Sequence, residues 1–600
     1  MNDRNPDPAA DAPSPDLLPP ADDLAAGVNG GGDPAGSMLP DFETPDVVEP
    51  QPEFGRPVLS PDGTTIALVL PDATGMRRIV LCPVDGGDPS PLEVQLDLGG
   101  LENAPAWSPD GAQLAIAAPH PADGRSAIWV ISIPTRIARV LVEHEAHDTE
   151  PVWSPDGEWI AFLSRRFGRN AASVVRSDGL TPPIQVSDAA PGFDDHSLTW
   201  ARDSSRIAFA RYAVEGDKQG DHIYTVDVRT GAEKKVTTRL VGRHSLSWAP
   251  DRNLIIHVAD DNEWDQIAVV NADNSSGWNV AAEKGDKYDP RWSADGQRVT
   301  YLRRHEGVVR CCERGTSTAT AETIDPGNGV CSGAQFLPDK RVLYVYQSST
   351  TGPQVIVQEP KADAERTVLS ILPAWSAPAG AVEPTYVSLA IDDITTGALV
   401  YRPAGAEGEL PAVIVLRDDP DQARVAEFNL LEQALVAQGL AVYVPTLAGT
   451  PGEGRKLHNL LATTIDTEPE MAGLLALVAS VGAQDGVDSA RIGLVGVGYG
   501  GALALVLAGQ YEAAVQAVAA VDPICDWHAE FDAASASMRD WIVSNIGLPA
   551  TNQGRFAVRT PATWAGIIAA PLLLMGTESA RTGRAAQLDG LTAVLRDLDR

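Results

Sequence analysis

Cysteine is scarce in this chain. Cys82, Cys311, Cys312, Cys331 and Cys525 are the only five in 600 residues. An odd, scattered set with no CxxC spacing excludes a disulfide framework, and adjacent Cys311 and Cys312 read as ordinary thiols. Positive charge is also short: 46 Lys and Arg stand against 81 Asp and Glu, for a formal net charge of -35. Such a chain repels nucleic acid and anionic membrane, so neither is an expected partner. No stretch reaches the roughly 18 apolar residues of a membrane span. The N-terminus is acidic and carries no basic segment followed by an apolar one, so no signal peptide is read and a cytoplasmic location is expected. Six hundred residues are too many for one core, so at least two domains are expected.

Residues 1–50 carry ten Pro, eleven acidic residues and one basic residue, Arg4. They have no hydrophobic periodicity and almost no aromatics. The segment cannot bury enough apolar surface to offset ordering, and it reads as a disordered acidic tail that aids solubility.

From residue 51 to 380 the chain repeats. Seven copies of one pattern occur: Leu59-Ser-Pro-Asp-Gly63, Trp107-Ser-Pro-Asp-Gly111, Trp153-Ser-Pro-Asp-Gly157, Trp200-Ala-Arg-Asp-Ser204, Trp248-Ala-Pro-Asp-Arg252, Trp292-Ser-Ala-Asp-Gly296 and Phe336-Leu-Pro-Asp-Lys340. Their first residues are 48, 46, 47, 48, 44 and 44 positions apart. A period of about 40 to 50 with several short strands per repeat is the pattern of a β-propeller, here with seven blades. In each copy the aromatic is expected between adjacent blades. Pro sets φ for the turn, Asp bonds nearby backbone, and Gly takes the positive φ.

Several titratable residues precede these motifs: Glu150, Asp194, Asp195, His196, His244 and Asp289. Inner strands line a propeller's channel, so these side chains are placed either to meet a ligand or to satisfy inter-blade turns, and the second is the expectation. Glu143-His144-Glu145-Ala146-His147 has metal-ligating residue types, but it sits in a blade-connecting loop without a third ligand at fixed distance. No metal and no cofactor are expected.

From 385 to 600 strands alternate with helices. Pro411–Leu416 is an apolar run suited to a strand buried on both faces. Val425–Gly439 has helical spacing, Leu440–Val444 is the next strand, Glu468–Val481 a helix, and Arg491–Val495, Ala514–Val521 and Pro571–Met575 are further strands. Ala585–Leu598 closes with a helix. This is a doubly wound, mainly parallel α/β sheet. Within it, Arg491 to Leu505 read RIGLVGVGYGGALAL: a strand, a glycine turn and a small-residue helix. That is the frame of the α/β-hydrolase nucleophile elbow, G-x-S-x-G. Here it reads Gly496-Val497-Gly498-Tyr499-Gly500, and the serine is absent.

A propeller of WSPDG repeats followed by this domain resembles the prolyl oligopeptidase family of serine peptidases, nearest its acylaminoacyl-peptidase-like branch. Val487–Gly493, Gly500-Gly501, Val521–Trp527, Ala570–Gly576 and the Gly-rich Gly449–Gly454 carry the resemblance. It implies that the nucleophile position is Gly498 and the acid position Ser579, with Glu578 adjacent. The family's histidine would lie beyond Arg600. The family's His-Gly-Gly-Pro oxyanion segment corresponds to Arg417-Asp418-Asp419-Pro420, where carboxylates oppose the charge that an oxyanion site must stabilise. The expectation is therefore a C-terminally shortened hydrolase domain with no catalytic residues. The strand Leu572–Met575 would then lie at a sheet edge, open to an oligomeric partner. Arg417, Asp418, Tyr499 and Trp527 are expected to face a cavity between the domains that binds a peptide or protein. The chain would act alone or as a subunit beside an active homologue. Two alternatives stand: a peptidase or esterase acting on short or acylated peptides, and dinucleotide binding. The latter rests on Gly496-x-Gly498-x-x-Gly501, a literal G-x-G-x-x-G, with Asp522 about 20 residues on.

Overall fold

The computed structural model describes residues 54–598, except residues 73, 95, 97, 99–103, 122–123, 143, 145, 167, 189–193, 216–217, 240, 242–244, 261–262, 318–319, 326, 373–374, 376, 392–393, 419, 421, 464–467, 512, 535 and 578–582. The tail read over 1–50 lies outside the described residues, as do His244, Glu143 and Glu145.

Residues 58 to 369 form seven four-stranded blades. The first five are separate antiparallel sheets, and the last two touch through a single parallel bridge, Val309 to Val330. Each blade runs from its innermost strand outward. The repeated motif closes the turn between the first and second strands, and four of the seven copies share the same chemistry. The Ser hydroxyl donates to the Asp carboxylate at 2.6 Å in Ser60–Asp62, Ser108–Asp110, Ser154–Asp156 and Ser293–Asp295. The same carboxylates accept the backbone N–H of Thr64, Ala112, Glu158 and Gln297 at 3.0–3.1 Å. A left-handed Gly, φ 67–74°, ends the turn at Gly63, Gly111, Gly157 and Gly296.

The motif tryptophans sew the blades together. Trp107, Trp153, Trp200 and Trp292 donate Nε1–H to the carbonyls of Val58, Ala106, Val152 and Ser247 on the preceding blade, at 3.0–3.2 Å. The ring closes with glutamine instead. Gln335 on the seventh blade donates to Pro57 O at 2.9 Å and accepts Leu59 N–H at 3.3 Å on the first. An apolar cluster that joins Ile66, Leu68 and Val80 to Leu343, Val345 and Val355 fills the seam.

The last propeller strand ends at Leu369, and the next strand, Thr385–Ile391, belongs to a seven-stranded sheet. That sheet runs Thr385–Ile391, Ile394–Tyr401, Ala441–Pro445, Leu410–Leu416, Val487–Val497, Ala517–Val521, Leu572–Met575. The first two pairings are antiparallel and the rest parallel, the hydrolase order. Leu572–Met575 is the edge, with Leu573 54% exposed. The helix read from Val425 starts only at Leu430, capped by the side chain of Asn429 on Glu432 N–H. The five residues before it serve the domain contact: Val425 packs into the propeller and Ala426 N–H donates to Gly307 O at 2.7 Å. Arg455, after the Gly-rich loop, adds an ion pair to Asp265 at 2.8 Å and another to Asp260.

The turn carboxylates Asp62, Asp110 and Asp295 are held below their ordinary range chiefly by the neighbouring Ser hydroxyls. A carboxyl whose pKa is lowered on folding contributes stability above its unfolded value, and that contribution is lost as pH falls through the folded value. The thermal midpoint is therefore expected to fall as pH drops below about 4. Asp→Asn at these three turns, which keeps an acceptor but removes the titratable group, is expected to flatten that slope in a calorimetric pH series.

Candidate active site

The strand Val487–Val497 ends at Gly498, which has φ 53° and ψ -110° and opens the helix Tyr499–Gln510. An L-residue is strained in this conformation, and glycine is not. The turn is held by Gly498 N–H to Val521 O at 2.9 Å and Ile524 N–H to Gly498 O at 3.2 Å. Gly496, Gly500 and Gly501 stand where a Cβ would run into Gly500, Leu416 and Pro523. These glycines answer the contact between strand and helix.

At Gly498 the obstacle is different. A Cβ placed there would fall inside the carboxylate of Asp418, closer than non-bonded atoms come. Asp418 Oδ1 accepts the Tyr499 N–H at 2.9 Å. In a nucleophile elbow that amide, on the residue after the nucleophile, is an oxyanion-hole donor. Here a side chain of the protein already occupies it. Asp418 is itself fixed from two sides. Arg584 Nη1 reaches its Oδ2 at 3.0 Å, and Arg424 donates to its carbonyl at 3.3 Å.

Arg584 is the first residue of the helix Arg584–Asp597, and its side chain is 2% exposed. It pairs with Glu530, also buried, through Nη2 to Oε1 at 3.0 Å and Nε to Oε2 at 3.4 Å. Burial pulls the Arg584 pKa down, but Glu530 and Asp418 outweigh it and hold it above its ordinary value. One turn on, Gln587 accepts the N–H of Cys525 and Asp526 at 3.0 and 2.9 Å and donates to Glu530 at 3.4 Å. The space around Gly498 is thus filled by an internal network, Asp418–Arg584–Glu530–Gln587. No histidine is among the described partners of Asp418 or Gly498. Ser579 and Glu578 lie outside the described residues.

The other sequence-derived site residues are placed as follows. Arg417 does not face an open cavity: it is paired with buried Glu432, Nε to Oε1 at 2.6 Å, which holds its pKa above the ordinary value despite burial. Tyr499 and Trp527, expected at a cavity wall, are 2% and 1% exposed. They pack with Trp541 edge-on and stacked, at centroid distances of 5.3 and 6.4 Å. Tyr499 OH donates to Glu470 Oε1 at 2.6 Å, and Trp527 Nε1–H to Arg559 O at 3.0 Å. Their size and aromaticity suggested a ligand surface; the same properties suit a core with hydrogen-bonded tips. The dinucleotide reading also fails on contacts. Asp522 is engaged with Thr577, its Oδ1 accepting the N–H at 2.7 Å, and the helix N-terminus that would meet a pyrophosphate carries the Asp418 carboxylate. In the propeller, Asp194 accepts Asn170 N–H at 2.8 Å, Asp195 pairs with Arg211 at 2.6 Å, and His196 with Asp221 at 2.9 Å.

The network members Arg584, Glu530 and Gln587 were not read from the sequence. A signal was present: Arg584 and Gln587 share one helix face with Leu588, Leu591 and Leu595, and polar residues on an apolar face require buried partners. Arg584→Met leaves the Glu530 carboxylate buried and unpaired. It is expected to cost about 3 kcal/mol of unfolding free energy, read as a lower denaturant midpoint at unchanged slope.

Residues 47–181 match the model of the TolB beta propeller domain and residues 426–579 that of the prolyl oligopeptidase family. An uncharacterized protein of Agrobacterium fabrum is 27% identical over 214 residues, 33% of this chain and 68% of that protein. Dipeptidyl-peptidase 5 of Aspergillus oryzae is 28% identical over 212 residues, 29% of this chain, and the match spans only 27% of that enzyme. Among solved structures, a puromycin-hydrolyzing peptidase of Mycobacterium tuberculosis superposes with a TM-score of 0.72 at 17% identity, covering 91% of this chain and 89% of that one. The acylaminoacyl peptidase of Pyrococcus horikoshii gives 0.65 at 15% identity, covering 92% and 90%. At these identities the structural likeness establishes the fold. With the elbow inside the matched segment, the chain joins a TolB-type β-propeller to a domain of the prolyl oligopeptidase family.

Proposed function

We propose that this chain is a non-catalytic member of its family, which holds a peptide or partner protein between its propeller and its C-terminal domain. The observation that carries the reading is the position of Asp418. Its carboxylate fills the place of the nucleophile's side chain and takes the Tyr499 amide. A substrate's developing oxyanion would have to displace a negative charge anchored by Arg584. The solved relatives are named for action on acylaminoacyl peptides and on puromycin. A peptide-like ligand is the class of molecule that this architecture would retain once hydrolysis is lost. No described helix is long and apolar enough to cross a membrane. We assign the protein to the cytoplasm, alone or beside an active homologue.

Two experiments test this. Incubation with a fluorophosphonate probe, and with acyl-peptide and p-nitrophenyl ester substrates, is expected to give no stoichiometric labelling and no turnover above buffer. Labelling or turnover would establish a serine hydrolase and overturn the proposal. Gly498→Ser is expected to lose stability, by about 1–3 kcal/mol from backbone strain alone, because an L-residue is forced into the left-handed turn against Asp418. It is expected to gain no hydrolysis. A hydrolytic Gly498→Ser variant would mean that a working base and oxyanion site already exist.

A further inference from the structure

The innermost strand of a blade carries a bulge three residues before its motif aromatic. At that place Glu150, Ser197, Asp289 and Gly333 all take left-handed φ, between 50° and 62°. The register to the second strand slips at the same point in all four blades. In the first blade the corresponding residue is Arg56. Arg56 reaches past the seventh blade to Asp289 on the sixth, with Nη2 at 3.0 and 2.8 Å from the two carboxylate oxygens. Blades one and six are not neighbours. Side chains from both meet only where the inner strands converge, at the lumen. Gly333 lies beside this crossing: its Cβ position would be in ordinary contact with Pro57 and Arg56, at 3.7 and 3.8 Å, and it is its left-handed φ that suits glycine.

A second guanidinium shares the same carboxylate, with Arg291 Nη2 at 3.0 Å from Asp289 Oδ1. Two cations on one anion leave an uncompensated positive charge, in a protein of net charge -35. Asp289 is the covered member, 12% exposed, while Arg56 and Arg291 keep 36% and 31% of their side chains open. Buried Arg291 Nε has no hydrogen-bond partner among the described residues. Burial lowers the pKa of Arg291, with the Asp289 carboxylate opposing the shift. Glu150, exposed on the third blade, gives the ring an acidic counterpart.

We propose that the propeller lumen is a carboxylate-recognition site, in which Arg56 and Arg291, oriented by Asp289, hold the C-terminal carboxylate or an acidic side chain of a peptide. This rests on the peptide-binding reading above. Guanidinium forks match carboxylates in geometry, and an enclosed lumen weakens the attraction less than open water does. The competing role is a clasp that closes the ring. That role needs Arg56 and Asp289, which join two blades, but not Arg291, which lies on the strand of Asp289.

The full chain is titrated at low salt with Ala-Ala-Ala and its C-terminal amide, and with acetyl-Ala-Glu-Ala-amide and its Gln counterpart. At least one charged peptide is expected to bind about tenfold more tightly than its neutral twin, and the pair that discriminates identifies which carboxylate is read. Arg291→Gln is expected to abolish the difference with the unfolding midpoint unchanged. Arg56→Gln is expected to lower both. Equal affinity within both pairs, discrimination that survives Arg291→Gln, or no binding by any of the four would overturn the site. Binding of the neutral peptides without charge preference would overturn the lumen site alone. Turnover of any of these peptides would overturn the proposed function and leave the charge preference to report on the lumen.

Discussion

A buried guanidinium needs negative partners, and in the C-terminal domain that need organises everything around the tight turn at Gly498. Glu530 supplies one carboxylate to Arg584 from the helix Trp527–Ala533, and Asp418 supplies the other from the end of a central strand. To reach Arg584, Asp418 must lie across the turn. Position 498 can then carry no side chain, and the first amide of the following helix finds its acceptor within the protein. The helix Arg584–Asp597 is pinned by the same contacts, and Gln587 extends them to the backbone at Cys525 and Asp526. One charge requirement thus links two helices, a strand end and the turn at Gly498.

The propeller is organised by repetition rather than by one contact. Four blades spend their motif tryptophan on the blade before, and the motif Asp closes its own turn in most copies, so much of the ring is assembled from equivalent small joints. Where a blade departs from the repeat, the departure has a local reason. The first blade has Leu59 in place of Trp, so it offers no indole donor to the seventh, and Gln335 of the seventh blade makes the bond across that seam instead. Gly333 takes the left-handed bulge position next to Arg56 without the strain that a side chain would bring there.

The propeller was legible in the sequence because its evidence is local and recurs seven times. Most of the strands of the C-terminal domain, though not their order in the sheet, were legible because buried parallel strands are continuous apolar runs, as at Leu410–Leu416 and Ala517–Val521. What escaped was set by tertiary contact. Apolar spacing at Val425 and Phe428 mimicked a helix, whereas Val425 packs on the propeller and Phe428 on Trp375 at 4.6 Å. Asp418 was read as unfavourable to an oxyanion, but its insertion over Gly498 depends on Arg584, 166 residues away. Tyr499 and Trp527 could not be assigned to core or cavity from residue type, since a buried Tyr bonded to Glu470 and an exposed one look alike in a sequence.

The seam between the first and seventh blades has a topological consequence. Every other pair of adjacent blades is joined by the backbone; this pair is joined by the Gln335 hydrogen bonds, the Arg341–Asp85 ion pair at 2.8 Å, the contact of Gly63 with Pro338 and an apolar cluster, with the Arg56–Asp289 pair reaching past it. No strand is shared across it among the described residues. The ring is therefore a split washer rather than a continuous band. Prising it apart at this line breaks only side-chain contacts and strains no connecting loop, so this is the line along which a chain could slip sideways into the lumen without being threaded end first.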